Sequence, residues 1–354
     1  MHTVARITQA LLWVVIPALT HGQDLAAQSR DSQRVTSQQL DYYLIQAFNA
    51  PSSAQRLALN HIGIQGQHSA DGFLITSVLE SYPAHRAGLN RGDIITAANG
   101  QPFHPVRSFN PSPGSSGAKQ TTPVLSELNI NRDGTLISVT VTPIYENLYD
   151  SFRAASAASV QQFNSGNKVV GYVHLWALSR SSNDLISTQR LFEELAQCDG
   201  IILDLRDSFG FVDREHLELA LPAGASMELD RPQGWLKTIN SSLEDLPGEA
   251  FRRPLAVLVN ARTRGGPELL AHELGKLERI VTMGKPTPGR IGSYALDRSA
   301  NSADYRPAAE TLVDGKVFED RGLAPETDID FPITEPRRDD PQFDAAFNQL
   351  MGVI

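Results

Sequence analysis

A single cysteine, Cys198, excludes an internal disulfide, and its place just before the apolar run Gly200–Leu205 suits an inert buried thiol. The nine histidines are scattered and include no His-x-x-x-His pair, so with no second thiol a zinc site is not expected. No phosphate loop or dinucleotide fingerprint is present, and no cofactor is expected. A net charge of -9 argues against a nucleic-acid surface, which needs a clustered basic face. Long apolar runs are missing too. Ala10–Leu19 is far shorter than the roughly 20 residues that span a bilayer, so no stable membrane span is expected. One local absence matters more than these: from Val257 to Gly292 there is no serine.

What remains is the composition of a soluble globular protein, 41% hydrophobic and 20% charged, with room in 354 residues for about two domains. Arg6, the apolar stretch and the small residues Thr20 and Gly22 read as a secretory signal over 1–22, which makes the expected location periplasmic or secreted. An uncleaved anchor is the alternative. A helical lead-in is expected over 23–59, interrupted by Pro51.

Turn signals then come in close order. Phe73–Val78 is strand-like, Ser81 and Pro83 open a short helix that Gly88 closes, and Gly92-Asp93 turns into the strand Ile94–Ala98 before Asn99-Gly100 turns again. A hairpin through Arg132-Asp133-Gly134 closes the unit. Pro105–Pro123 is rich in Pro, Ser and Gly and is expected to be a flexible excursion. A polar connector at 145–166 leads to an alternation of strand and helix: Lys168–Trp176, a helix with Leu185, Leu191, Phe192 and Leu195 on one face, then Gly200–Leu205. Leu217–Glu249, with Trp235 expected to pack, is uninformative. Leu255–Val259, a helix over Pro267–Lys276 and the short run Arg279–Met283 make a βαβ unit, whose reactive groups sit beyond the carboxyl ends of the strands. The alternation predicts a right-handed parallel α/β core.

Residues 60–144 resemble a PDZ domain of the kind found in bacterial proteases, with His61-Ile62-Gly63-Ile64 in the place of the carboxylate-binding loop. Such domains add a peptide as a strand and hold its C-terminal carboxylate on backbone N–H groups. On the resemblance, protein or peptide C-termini are the expected partners, and His61, Ile62, Gly63 and Ile64 the binding positions. His61 departs from the family's glycine there.

Residues 167–335 resemble the carboxyl-terminal processing peptidases, or tail-specific proteases, with 336–354 as a C-terminal tail. The resemblance implies a crotonase-like or Clp-protease-like spiral core beside the mainly β PDZ domain. Asn260, Thr263, Glu268, Gly284, Thr287 and Gly289 match the family's pattern without gaps. The family's serine nucleophile then falls on Gly265, its lysine base on Arg290 and a further glutamine on Tyr294, with Gly210 and Gly266 at the oxyanion positions. Glycine offers no attacking atom, and arginine, with a pKa above about 12, cannot serve as a base. The leading expectation is a pseudo-peptidase that binds C-termini. An active serine peptidase using Ser208 or Ser293 is the alternative, and a binder of a small apolar ligand beside Gly265, Gly266, Phe209 and Phe211 is a third reading. On the first reading, Gly265→Ser with Arg290→Lys is the pair of changes expected to return weak proteolysis.

Overall fold

The computed structural model describes residues 34–110, 124–212, 214–219, 229–230, 251–333 and 339–354. The expected signal segment, most of the Pro- and Gly-rich excursion, and Trp235 with most of its stretch lie outside them.

A short strand β1 (Arg34–Thr36) leads into helix α1 (Leu40–Asn49), the lead-in expected from the sequence. Strand β2 (Ala58–His61) then opens the PDZ unit, which continues as β3 (Ile64–Ser69), β4 (Gly72–Val78), helix α2 (Pro83–Arg86), β5 (Ile94–Ala98), β6 (Ser126–Arg132) and β7 (Thr135–Val141). The antiparallel sheet runs β3-β4-β5-β6-β7, so β3 is an edge strand. Its core is the alternating face that the sequence presents: Phe73 and Ile75, Ile95, Leu128 and Ile130 are all buried. The chain leaves on β8 (Ile144–Asn147), which pairs antiparallel with β2 from Ala58↔Asn147 to His61↔Ile144. Entry and exit of the domain are thus one ribbon.

The connector is structured. Asn147 caps helix α3 (Leu148–Ala158) by accepting the N–H of Asp150 at 3.1 Å, and β9 (Gln161–Ser165) follows. The second sheet runs β9, β10 (Lys168–His174), β12 (Gly200–Asp204), β14 (Leu255–Val259), β15 (Ile280–Gly284) and β18 (Thr327–Asp328), while the two-residue strands β11 (Ala177–Leu178) and β13 (Phe209–Gly210) pair outside it. All pairings from β10 onward are parallel, and each new strand adds on the same side. Strands β16 (Ser293–Asp297) and β17 (Ser302–Arg306) form a small sheet with β1.

Every residue of β12 and β14 is buried, as a parallel sheet covered on both faces requires. Leu203, Leu255, Val257 and Val259 meet helices α4 (Ser182–Glu194) and α5 (Gly266–Leu274), with Phe192, Leu269 and Leu270 in that layer. Ile202, Ala256 and Leu258 point the other way and are covered by α6 (Pro341–Val353) through Ala346 and Leu350. The stretch 336–354, read as a tail, therefore includes the helix that closes the second face. A third core joins the halves: Leu44 and Ile45 of α1, Leu79 and Tyr82 of the PDZ unit, Phe152, Trp176 and Phe209 pack together. The α/β core plus mainly β PDZ domain predicted from the sequence is the fold observed.

Candidate active-site cleft

Strand β14 ends at a turn stapled by Asn260. Its Oδ1 accepts the N–H groups of Arg262 at 2.9 Å, Thr263 at 3.0 Å and Asp207 at 3.1 Å. The buried Thr263 hydroxyl donates to the Leu205 carbonyl at 2.8 Å and accepts the Asn260 N–H at 3.0 Å. These two residues hold the loop after β14 against the loop after β12, the two loops that bring the site together.

Gly265 follows, at φ 78° and ψ −134°, as the N-cap of α5. A Cβ here would lie 2.6 Å from the Gly210 carbonyl oxygen, and one at Gly266 would lie 2.3 Å from the Val212 nitrogen. Gly210 is itself confined, since a Cβ there would meet the Leu178 oxygen at 2.0 Å. The segment 209–212 is pinned in this position by the Phe209 N–H to Trp176 O bond at 3.1 Å and the Phe211 N–H to Leu178 O bond at 2.9 Å. The room that two glycines promised an apolar ligand is therefore filled by backbone. Phe209 is buried against Phe48 and Tyr294, with ring centroids 5.6 and 6.3 Å away, rather than lining a cleft.

Gly265 and Arg290, the expected nucleophile and base positions, come together through the main chain: the Gly265 N–H donates to the Arg290 carbonyl at 2.9 Å. Glu268, fully buried on the first turn of α5, locks this contact. Its Oε2 accepts the Gly289 N–H at 2.6 Å, and its Oε1 accepts the N–H groups of Arg290 at 2.8 Å and Gly265 at 3.2 Å. Burial pushes its pKa up to about 7, against the pull of the hydrogen bonds it accepts from Thr287 and the three N–H groups. The matched glutamate is thus a clamp, a role the sequence reading did not assign. Gly-x-x-Glu at a helix start was the available signal, a reduced form of the capping box.

Ser208 is wholly buried and its hydroxyl donates to the Leu175 carbonyl at 2.5 Å, which leaves it facing no cleft. Ser293 is exposed at the start of β16, with no side-chain hydrogen bond to any described residue. Tyr294 and Arg290 are half-buried beside Tyr305, the Tyr294 ring 5.1 Å and the Arg290 guanidinium 5.4 Å from its centroid. Asp204 and Arg206 pair inside the protein: Arg206 Nε lies 2.9 Å from Asp204 Oδ1 and its Nη2 lies 2.7 Å from Asp340. Although burial works against the charge, Arg206 and His174 hold Asp204 down at about 2.

The peptide-loop positions have a different setting from an open groove. His61 is buried, and its Nδ1 accepts the Gly63 N–H at 3.2 Å. Its Nε2 meets Ser151 Oγ at 3.1 Å, and Glu146 accepts from Ser151 at 2.6 Å and from Tyr82 at 2.7 Å. Burial pushes the imidazole down to about 4, so it is neutral and free to accept at Nδ1. Ile62 and Ile64 are core residues, and Gly63, at φ 77°, has Tyr82 Cβ 2.3 Å from where its own Cβ would be. Leu40, Leu44 and Phe152 close over this loop, leaving a crevice of about 20 Å³.

The large cavity lies elsewhere. About 520 Å³ separates β3 from the α/β domain, walled by Gln65 and His68 on one side and by Arg262, Arg290, Tyr294 and Tyr305 on the other. Gln65 spans it at one end, its Nε2 3.4 Å from the Asp207 carbonyl. Among the described residues one grouping has metal-ligand character, His272, Glu273 and Asp314, but the Lys276 ammonium already bonds Glu273 at 2.9 Å and Asp314 at 2.7 Å.

Comparison with known proteins agrees with this architecture. Residues 60–142 match the family model for the PDZ domain, and residues 169–302 that for peptidase family S41. A carboxyl-terminal-processing protease of Synechocystis is 27% identical over 298 residues, covering 79% of this chain and 65% of that protein. The chloroplastic carboxyl-terminal-processing peptidase 3 of Arabidopsis thaliana is 26% identical over 225 residues, covering 61% of this chain and 42% of that one. The matches thus span less than two thirds of those relatives' lengths. A putative S41 protease from Bacteroides fragilis has the same fold, with a TM-score of 0.53 at 17% identity over 84% of each chain. The chain thus joins a PDZ-domain match to a match with peptidase family S41, and across both it is similar to the carboxyl-terminal processing peptidases.

Proposed function

We propose that this protein is an exported, catalytically silent member of its family that binds the C-terminal segments of other proteins instead of cleaving them. One observation carries the reading. The nucleophile position is a glycine in a backbone conformation and a contact, 2.6 Å from a would-be Cβ to Gly210 O, that leave a side chain no place. Acyl transfer needs a nucleophile with a base in reach. Arg290 stands at the base position, Ser208 is sealed in the core, and among the described residues Ser293 has no base bonded to it.

Peptide binding is supported by the PDZ domain and by strand β3, whose outer edge no described strand pairs. Export is supported by the apolar stretch after Arg6. The test uses the purified chain with an unfolded protein bearing an apolar C-terminus. The expected result is no turnover, no serine labelled by a fluorophosphonate probe, and saturable binding. Turnover that vanishes in a Ser208→Ala, Ser293→Ala double variant would overturn the reading.

A further inference from the structure

We propose that the carboxylate of a bound C-terminal segment is held by Arg290, in the cavity between β3 and the degenerate catalytic loops, and not by the PDZ loop at 61–64. The inference rests on the peptide-binding reading above and assigns its site.

Three observations lead there. The PDZ loop is closed: one of its N–H groups is already taken by His61, and Leu40 and Leu44 leave only about 20 Å³ before it. By contrast, β3 is open. Among the described strands it pairs only with β4, Gly66–Ser69 are exposed, and Gln65–His68 line the 520 Å³ cavity with Arg290. An edge strand presents unpaired main-chain donors and acceptors to an extended segment.

The third observation is charge. On a chain of net charge -9, four arginines and one aspartate line this cavity. Arg34 is paired with Asp304, Arg262 with Asp207 and Arg264 with Asp41. Arg290 alone of the four makes no ion pair with a described residue, and it rests over the Tyr305 ring. A half-buried, unpaired guanidinium is a ready partner for one carboxylate, which it grips with two parallel N–H bonds.

Why a chain terminus and not an acidic side chain of a passing segment follows from the end of the cavity. Gln65 bonds across to the Asp207 carbonyl at the start of the open edge, so a strand added to β3 meets the α/β domain there and has to stop. The arginine at the former base position thus does what a lysine base cannot: it stays charged and anchors the end that a peptidase would have processed.

The test is retention of a degenerate pool of decapeptides with free C-termini on the immobilised full-length chain, beside the same pool amidated at the C-terminus. The free-acid pool is expected to be retained at least tenfold more strongly. Arg290→Met, which keeps side-chain length without charge, should lose that preference, and Arg290→Lys should recover part of it. Hydrogen exchange should show the Gly66–Ser69 amides protected by the free-acid pool in the parent and unprotected in Arg290→Met, with unchanged melting temperatures showing that the variant folds. Equal retention by parent and Arg290→Met would overturn this site while leaving peptide binding intact. Equal retention of amidated peptides carrying Asp or Glu would overturn the choice of terminus. Retention of neither pool would overturn the peptide-binding reading itself, and this site with it.

Discussion

At position 265 the absence of an attacking side chain is a property of the backbone as much as of the residue type. Gly265 sits at φ 78°, and the carbonyl of Gly210 occupies the direction in which a Cβ would project. Restoring the family's residues by Gly265→Ser with Arg290→Lys looks from the sequence like a route back to proteolysis. The structure reverses that expectation. A serine there adopts a conformation that costs about 1–3 kcal/mol, and it pushes on the main chain of 209–212, which β11 holds in place. The expected outcome is a chain destabilised by about 2–4 kcal/mol from strain and contact together, with no measurable turnover. Denaturant melts and a fluorophosphonate-labelling assay check both halves. A stable Gly265→Ser variant that takes the label at its new hydroxyl would show that the 209–212 loop moves freely, and would restore the case for a latent enzyme.

Between elements, the clamp at the start of α5 makes a pH-dependent joint. Glu268 titrates near 7 in the folded chain against a usual value of 4.5, because burial disfavours its charge. A raised folded pKa means that its stabilising contribution is complete below about 4.5 and is lost as pH rises through about 7. A gap of this size is worth on the order of 3 kcal/mol. His61, pushed down to about 4, tilts the profile the opposite way, favouring the fold as pH rises toward 6.5, so the parent's profile alone does not isolate the clamp. The difference between the parent and Glu268→Gln does. That difference should shift against the parent from pH 5 to pH 8 in paired thermal melts, and a parallel pair of profiles would remove Glu268 as the source. How legible these elements were depends on range. Turns such as Asn99-Gly100 and Asp133-Gly134 were read correctly because their positive φ angles are local demands met by local residues. Helix α6 also had its signals, since Asp340 caps Gln342 and Phe343, Pro341 follows, and Ala346 and Leu350 repeat at helical spacing. Its role in covering Ile202 and Leu258 was out of reach, because that pairing is long-range. The same holds at the site. The match placed Gly265 and Arg290 opposite each other, but not the main-chain contact that fills the space between them.

At the scale of the whole molecule, the open edge of β3 and the loops that carry Arg262 and Arg290 face one cavity only while the PDZ unit is fixed on the α/β domain. Part of that fixing is electrostatic. Glu80 of the PDZ unit accepts the Trp176 indole N–H and lies 3.6 Å from His174 Nδ1, while His174 stacks on Trp176 with ring centroids 3.8 Å apart and its Nε2 meets the Arg206 carbonyl at 2.8 Å. Burial alone would push His174 down. Asp204 behind it, Glu80 in front and the Arg206 carbonyl together outweigh burial, so the imidazole titrates above its ordinary 6.5. The sign follows: the protonated histidine binds Glu80 across the domain boundary, this contribution is complete below pH 6.5, and it fades as pH climbs through the raised value. Glu80→Gln keeps an acceptor for the indole but removes the charge, so it should cost about 1–3 kcal/mol at pH 6 and less at pH 9. Hydrogen exchange at both pH values reads the effect where it belongs, as faster exchange in the β2 and β8 ribbon and around Trp176. An equal cost at both pH values would assign Glu80 to the indole alone and leave His174 no part in docking the domains.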